Sequence, residues 1–222
     1  MKIVAAFDSF KGSLSAQDIV TIVGKAVRTT LPNATITELP LADGGEGTTE
    51  ALEHYLNASW QICNAHDALM RPITTKYAIS SNGTTAIMDM ASAAGLTLLS
   101  SEERNPMLTT TFGVGEMLKD AISKGCKHIL LGIGGSATND AGIGMLAALG
   151  VKFYDNHKRE VTPIGKNLKL ISSVDLSKII SLKTITIDVI CDVTNPLYGP
   201  NGAAHVYAKQ KGANSTEIIE LD

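Results

Sequence analysis

Cysteine is scarce in this chain of 222 residues: Cys63, Cys126 and Cys191 make an odd, widely spaced set with no Cys-x-x-Cys. A disulfide framework and a zinc site are thereby excluded as expectations, and reduced, buried thiols are what is left. The five histidines stand apart, without His-Glu-x-x-His or a paired ligand spacing, so none is assigned to catalysis. Lys and Arg form no run and the net charge is −3, so no field exists to hold nucleic acid or an anionic membrane. No apolar run approaches membrane length, and Asp8 comes too early for a signal-peptide core, which makes the cytoplasm the expected location. A Walker A pattern is also missing, so a kinase built on this sequence would not be a P-loop kinase. Internal repeats and low-complexity segments are absent, and nothing in the sequence sets an oligomeric state.

What is present describes a soluble globular protein. Hydrophobic residues make up 44%, charge of both signs is spread along the chain, and the length suits one large domain or two small ones. The 20 glycines cluster, which points to shaped loops.

An apolar run at 2–7 predicts a strand. Ser15 and Asp18 then form a capping box ahead of apolar residues at helical spacing, and Pro32 ends that helix. A second strand at 34–41 runs into Asp43-Gly44-Gly45-Glu46-Gly47, and Thr48 or Thr49 caps a helix reaching about residue 56. This β-α-β-α opening is the signature of a parallel sheet in an α/β fold. From residue 60 the pattern changes: strands at 60–64 and 73–80 precede the Asn82-Gly83 turn, with a hairpin partner at 85–88. A second domain is therefore expected to begin near residue 60. Further on come a short helix at 115–124, a buried strand at 128–131, a glycine-rich loop with a helix ending before Gly150, an irregular stretch at 155–173, and a buried strand at 185–191.

Four strand ends lead into loops that pair a glycine or turn residue with an acid, at 8–12, 43–47, 132–140 and 192–202. In open α/β folds ligands collect at such ends, so four of these loops invite one site. In 132–140, the glycines would let the backbone approach a ligand, Ser136, Thr138 and Asn139 add neutral donors, and Asp140 could orient a metal or a hydroxyl. The competing reading is a tight turn with Asn139 or Asp140 as helix cap. The same loop fits Gly-x-Gly-x-x-Ala at 132–137, with Asp155 where a ribose-binding acid would sit, so an NAD(P)-dependent dehydrogenase is the alternative enzyme. Asp43 could serve as a general base or act through a metal, against ordinary Asx-turn chemistry. Lys11 could pair a carboxylate or phosphate, against a solvated loop lysine. Asp192 follows an apolar strand directly, and Asn195-Pro196 fixes the turn after it.

At these same loops the sequence resembles the bacterial glycerate kinase family, of the glycerate 2-kinase type. The stretches that carry the resemblance are DSFKGSLSA at 8–16, PLADGGEGT at 40–48, Arg104-Asn105-Pro106 with 109–115, LGIGGSATNDAG at 131–142, and CDVTNPLYGPNGAA at 191–204 with Gln210-Lys211-Gly212. They occur in the family's order and span nearly the whole chain. Departures are Asp89 where the family usually has Glu, Ala141 where a second Gly is common, and Ala208-Lys209 where Gly-Pro often stands.

The resemblance implies a two-domain α/β enzyme: a flavodoxin-like domain into which a second α/β domain is inserted, with the active site between them. On this expectation residues 1–60 are the N-terminal half of the flavodoxin-like domain and 61–222 the inserted domain, incomplete at its C-terminal end. Relatives continue further, with a Gly/Ala-rich loop and a Thr-Gly-Glu-Gly segment, so a non-catalytic remnant is the third reading. The implied reaction is ATP- and Mg²⁺-dependent phosphorylation of D-glycerate to 2-phosphoglycerate. Within it, Asp192 is expected as the base, Asp43 as its rival, and Lys11 as the group that neutralises charge. Ser9, Gly44, Gly45, Gly134, Gly135, Ser136, Thr138, Asn139 and Asn195 are expected to bind substrate or phosphate, and Asp140 to organise Mg²⁺.

Overall fold

The computed structural model describes residues 1–10 and 13–222, less the side chain of His54. β1 (Lys2–Phe7) and β2 (Thr35–Pro40) pair in parallel, from Lys2 opposite Thr35 to Phe7 opposite Pro40. Between them runs α1 (Ala16–Thr30). Its start is set by Ser15, whose hydroxyl accepts the Asp18 N–H at 3.1 Å and donates to the Asp18 carboxylate at 2.6 Å. The acid thus reaches the capping hydroxyl rather than the backbone N–H expected of a capping box. Ala16, Ile19, Val20 and Gly24 form the buried stripe of this helix, at the spacing that one helix face requires.

α2 (Thr48–Tyr55) leads into a second sheet. There β3 (Ser59–His66), β4 (Pro72–Ile79) and β5 (Thr85–Asp89) pair antiparallel in turn. The expected hairpin turn is held by the Asn82 side-chain oxygen, which accepts from the Thr84 N–H at 3.0 Å and the Ser80 hydroxyl at 2.7 Å. After α3 (Ala91–Ala94) and α4 (Phe112–Ser123), β6 (His128–Gly132) lies parallel to β5. α5 (Ile143–Ala148) follows, then a separate antiparallel pair, β7 (Lys152–Tyr154) with β8 (Ser173–Asp175). β9 (Thr186–Ile190) returns parallel to β6, and α6 (Ala203–Tyr207) and α7 (Ser215–Leu221) follow it. The large sheet has the order β3-β4-β5-β6-β9, so the fold is mixed α/β, with parallel pairing of β5, β6 and β9 in this sheet and of β1 with β2 in a two-stranded one.

The main core lies where α3 and α4 cover this sheet: Tyr77, Met88, Met117, Leu118 and Ile129 are fully buried. Tyr77 keeps its hydroxyl satisfied by donating to Asp120 at 2.7 Å, and burial pushes its pKa well up. A smaller core of Ile143, Val151, Phe153 and Val161 sits under β7.

Three expectations are corrected. The stretch at 185–191 is not a buried strand: β9 is the sheet edge, with β6 on one side, and Val189 is 53% exposed. The helix expected from residue 115 starts at Phe112, because its first turn is fixed from outside by Asp140. The stretch at 155–173 is less irregular than expected, since it holds a 3₁₀ turn (Gly165–Leu170) and reaches β8.

Candidate functional site

β1, β2, β6 and β9 all point their C-terminal ends at one place. The four loops that follow them line a single cleft of about 1790 Å³, as the sequence pattern anticipates. The junction is made of backbone against backbone. The Gly134 N–H donates to the Gly44 carbonyl at 2.9 Å, and the Ile133 N–H donates to the Ile190 carbonyl at 3.3 Å. A Cβ on Gly134 would lie 2.7 Å from Gly45 Cα, and one on Gly132 would lie 2.5 Å from the Gly44 oxygen. Gly44 itself has φ +91° and is pressed against the Ile190 carbonyl, so it is excluded from side chains twice over. These glycines let loops meet each other, where the sequence reading had them meeting a ligand.

The expected site residues divide accordingly. Ser9, Asp43, Gly45, Gly134, Gly135, Ser136, Asp192 and Asn195 line the cleft. Gly44, Thr138, Asn139 and Asp140 are not among the lining residues, and Lys11 lies outside the described residues. Several lining groups already serve the protein. The Gly134 N–H is engaged by Gly44, which leaves Gly135 and Ser136 as that loop's candidate donors. The Asn195 amide donates to the Asn201 carbonyl at 3.1 Å and accepts from the Tyr207 hydroxyl, so it shapes the segment after β9 while one N–H of its amide is left over at the cleft. Asp43 accepts the Gly45 N–H at 2.8 Å, the Asx-turn bond weighed above, and so holds its own loop.

Asp140 is a structural clamp. It is 2% exposed, and its oxygens accept from the Thr111 N–H and hydroxyl, both at 2.8 Å, and from the N–H groups of Gly142 and Gly144. That arrangement ties the first turns of α4 and α5 together, although the N-cap of α5 is Gly142 and neither Asn139 nor Asp140 takes that position. Among the described residues no group of three or more His, Cys, Asp or Glu side chains is placed to hold a metal ion.

The dinucleotide alternative fails on topology. A fingerprint loop should open a helix at once and pass to a neighbouring strand of the same sheet. Here α5 begins only at Ile143, and β7 pairs with β8 in another sheet. Asp155 accepts from the N–H groups of His157 and Arg159 and bridges to Arg159, which holds its carboxyl below the usual range.

Two groups near the junction carry no role in the sequence pattern. Asp89, 4% exposed at the end of β5 opposite Gly132, accepts the Thr49 N–H at 3.1 Å and so joins α2 to the large sheet. Burial pushes its pKa up to about 7, with Glu50 adding to the rise and hydrogen bonds from Thr49 and Gly47 opposing it. Lys211 lines the cleft from the 3₁₀ turn Lys209–Lys211, and donates to the Ser136 hydroxyl at 3.0 Å and to the Thr138 carbonyl at 2.6 Å. Its only sequence signal is its place in Gln210-Lys211-Gly212; a half-buried lysine has no periodic signature.

A mixed α/β protein with a glycine-built, acid-lined cleft at its strand ends is the class that fold and site define. The chain belongs to the glycerate kinase family, which it matches over residues 3–222. It is 42% identical over 223 residues to the Glycerate 2-kinase of Escherichia coli K12, covering 100% of this chain and 58% of that one. It is 41% identical to the Glycerate kinase of Bacillus subtilis 168, with the same coverage. A crystal structure of a Salmonella typhimurium LT2 protein that carries the glycerate kinase 2 name superposes with a TM-score of 0.87 at 40% identity, covering 100% of this chain and 60% of that one. The chain therefore spans about 58% of the length of these curated relatives. No helix among the described residues is long and apolar enough to cross a membrane.

Proposed function

We propose that this chain transfers the γ-phosphoryl group of ATP to D-glycerate, forming 2-phosphoglycerate and ADP. The observation that carries the reading is the convergence of four strand-end loops, each containing a stretch typical of the family, on one cleft large enough for both substrates. The position phosphorylated follows the name of the Escherichia coli relative. In this reading residues 1–60 and 61–222 are two domains, and the cleft lies at their junction.

In phosphoryl transfer the protein's work is positioning and charge stabilisation. The glycerate hydroxyl oxygen forms its bond to the γ-phosphorus while the bond from that phosphorus to the ADP oxygen breaks. Asp192, exposed on the cleft wall, accepts the hydroxyl proton. Asp43 is the weaker candidate, because it is occupied in holding its loop. Gly135 and Ser136 offer donors to an anionic oxygen, and Ser9 also lines the cleft. Mg²⁺ on nucleotide phosphates requires only one or two protein carboxylates. The residues present fit a nucleotide-borne ion neutralising phosphate charge, with Asp8 on the cleft as its candidate holder, rather than a resident metal cage.

The direct test is phosphorus NMR of the purified chain with MgATP and D-glycerate. A new phosphomonoester signal coupled to the carbon-2 proton is expected. A folded chain that converts no ATP in the presence of D-glycerate overturns the proposal for this polypeptide.

A further inference from the structure

The cleft has a charge problem. Among the described lining residues are seven carboxylates and two lysines, while glycerate and ATP are both anions. Lys76 is occupied, bridging to Glu50 at 3.3 Å and lying 3.9 Å from the centre of the Trp60 ring. Lys211 differs. Both its hydrogen-bond partners are neutral oxygens, on the loop whose Gly135 and Ser136 also face the cleft.

Its placement is fixed by the backbone around it. Ala208 and Ala213 are buried on either side, and Gly212 takes φ +100° against the Arg104 carbonyl, where a Cβ has no room. The turn is thus anchored at both ends, and the stem of Lys211 is carried inward with its amine at the cleft wall. Burial lowers its pKa to about 8, with the field of Asp140 working the other way. A desolvated ammonium bound only by neutral oxygens gains most from an anion brought within reach. An ammonium has three N–H donors, and Ser136 and Thr138 use two.

We propose that Lys211 is an anion-holding residue of this cleft, its third N–H taking a carboxylate oxygen of the hydroxy acid or a phosphoryl oxygen of the nucleotide while Ser136 and Thr138 aim the amine. This assignment rests on the phosphoryl-transfer reading for the identity of its ligands, but not for the anion site itself.

The test uses the full chain and two readouts. First, acetic anhydride labelling of Lys211 near pH 8 is followed by mass spectrometry with D-glycerate, ATP or inorganic phosphate present. Slowed labelling by any of the three is expected, and the ligand that protects identifies the anion's source. Second, calorimetric affinity for D-glycerate and for ATP is compared between the wild type, Lys211→Met and Lys211→Arg. Lys211→Met should weaken binding of the protecting ligand on the order of 10–100-fold, with Lys211→Arg recovering part of it. Should Lys211→Met fail to fold, the labelling result and Lys211→Arg decide. Labelling unaffected by every anion, or ligand affinities that Lys211→Met leaves unchanged, overturns the proposal and reduces Lys211 to a staple between the turn and the loop. Protection without turnover would instead sink the kinase reading and leave the anion site standing.

Discussion

Residues 133–136 and 137–140 are consecutive parts of one loop, and they face opposite ways. The first part lines the cleft; the second turns into the protein, where Thr138 and Asp140 are buried. A single run of small and polar residues therefore divides between ligand contact and construction. What separates them is the number of protein partners each group already has. Asp140 has four donors upon it, whereas Asp192, on the cleft, is exposed to what enters. Two aspartates at two strand-end loops look alike in sequence and differ in role because one has been hydrogen-bonded out of reach.

That contrast can be broken most sharply at Asp192. If it is the base, Asp192→Asn should lower kcat by roughly 10²–10⁴-fold, with a melting temperature within a degree or two of wild type. Near-normal turnover would remove it from the chemistry. Asp140→Ala should do the reverse, lowering unfolding free energy by about 3 kcal/mol in a urea titration by stranding buried donors of α4 and α5. Turnover per folded molecule should stay within a fewfold; a selective loss of activity with stability intact would return Asp140 to the active centre. Gly134→Ala should cost about 1–3 kcal/mol, since the added methyl meets backbone rather than a yielding side chain. An unchanged denaturation midpoint would show that the Gly44–Gly134 contact is looser than described.

The smallest effect concerns Asp89. Its folded pKa of about 7 lies above the ordinary value of 3.8, so the folded protein holds this proton through a window where the unfolded chain has released it. Stability should therefore fall as pH rises from about 4 to about 7 and level off above. Asp89→Asn, which keeps an acceptor for the Thr49 N–H, should flatten this component and raise the melting temperature at pH 8 by on the order of 2–4 °C. An identical pH profile in the variant would refute it.

Much of this was legible in the sequence for identifiable reasons. The Ser15 cap, the Asn82-Gly83 turn and the period-two runs around it state their structures locally and stand where expected, with Asp18 alone differing by bonding the capping hydroxyl. The meeting of four strand-end loops was also readable, because parallel α/β folds send such loops to one side. What local pattern could not carry was partnership at long range. The apolar run at 185–191 reads the same whether a sheet has one neighbour for it or two, and β9 has one. Asn195 meets Tyr207 and Asn201 through contacts that no local pattern announces. Lys211 is 75 residues from Ser136, and no spacing rule links them.

The glycine junction has a temporal consequence. Gly44 is held between Gly134 and Ile190, partners 90 and about 146 positions further along the chain. Contacts that close such long stretches cost chain entropy before they return any attraction, so they form slowly and late. During synthesis, β1, α1 and β2 can assemble early from neighbours in sequence, while the loop at 43–47 waits first for Gly134 and then for Ile190 to leave the ribosome. The cleft is therefore the last part of this chain to be completed, and the loop that begins it spends the longest time waiting.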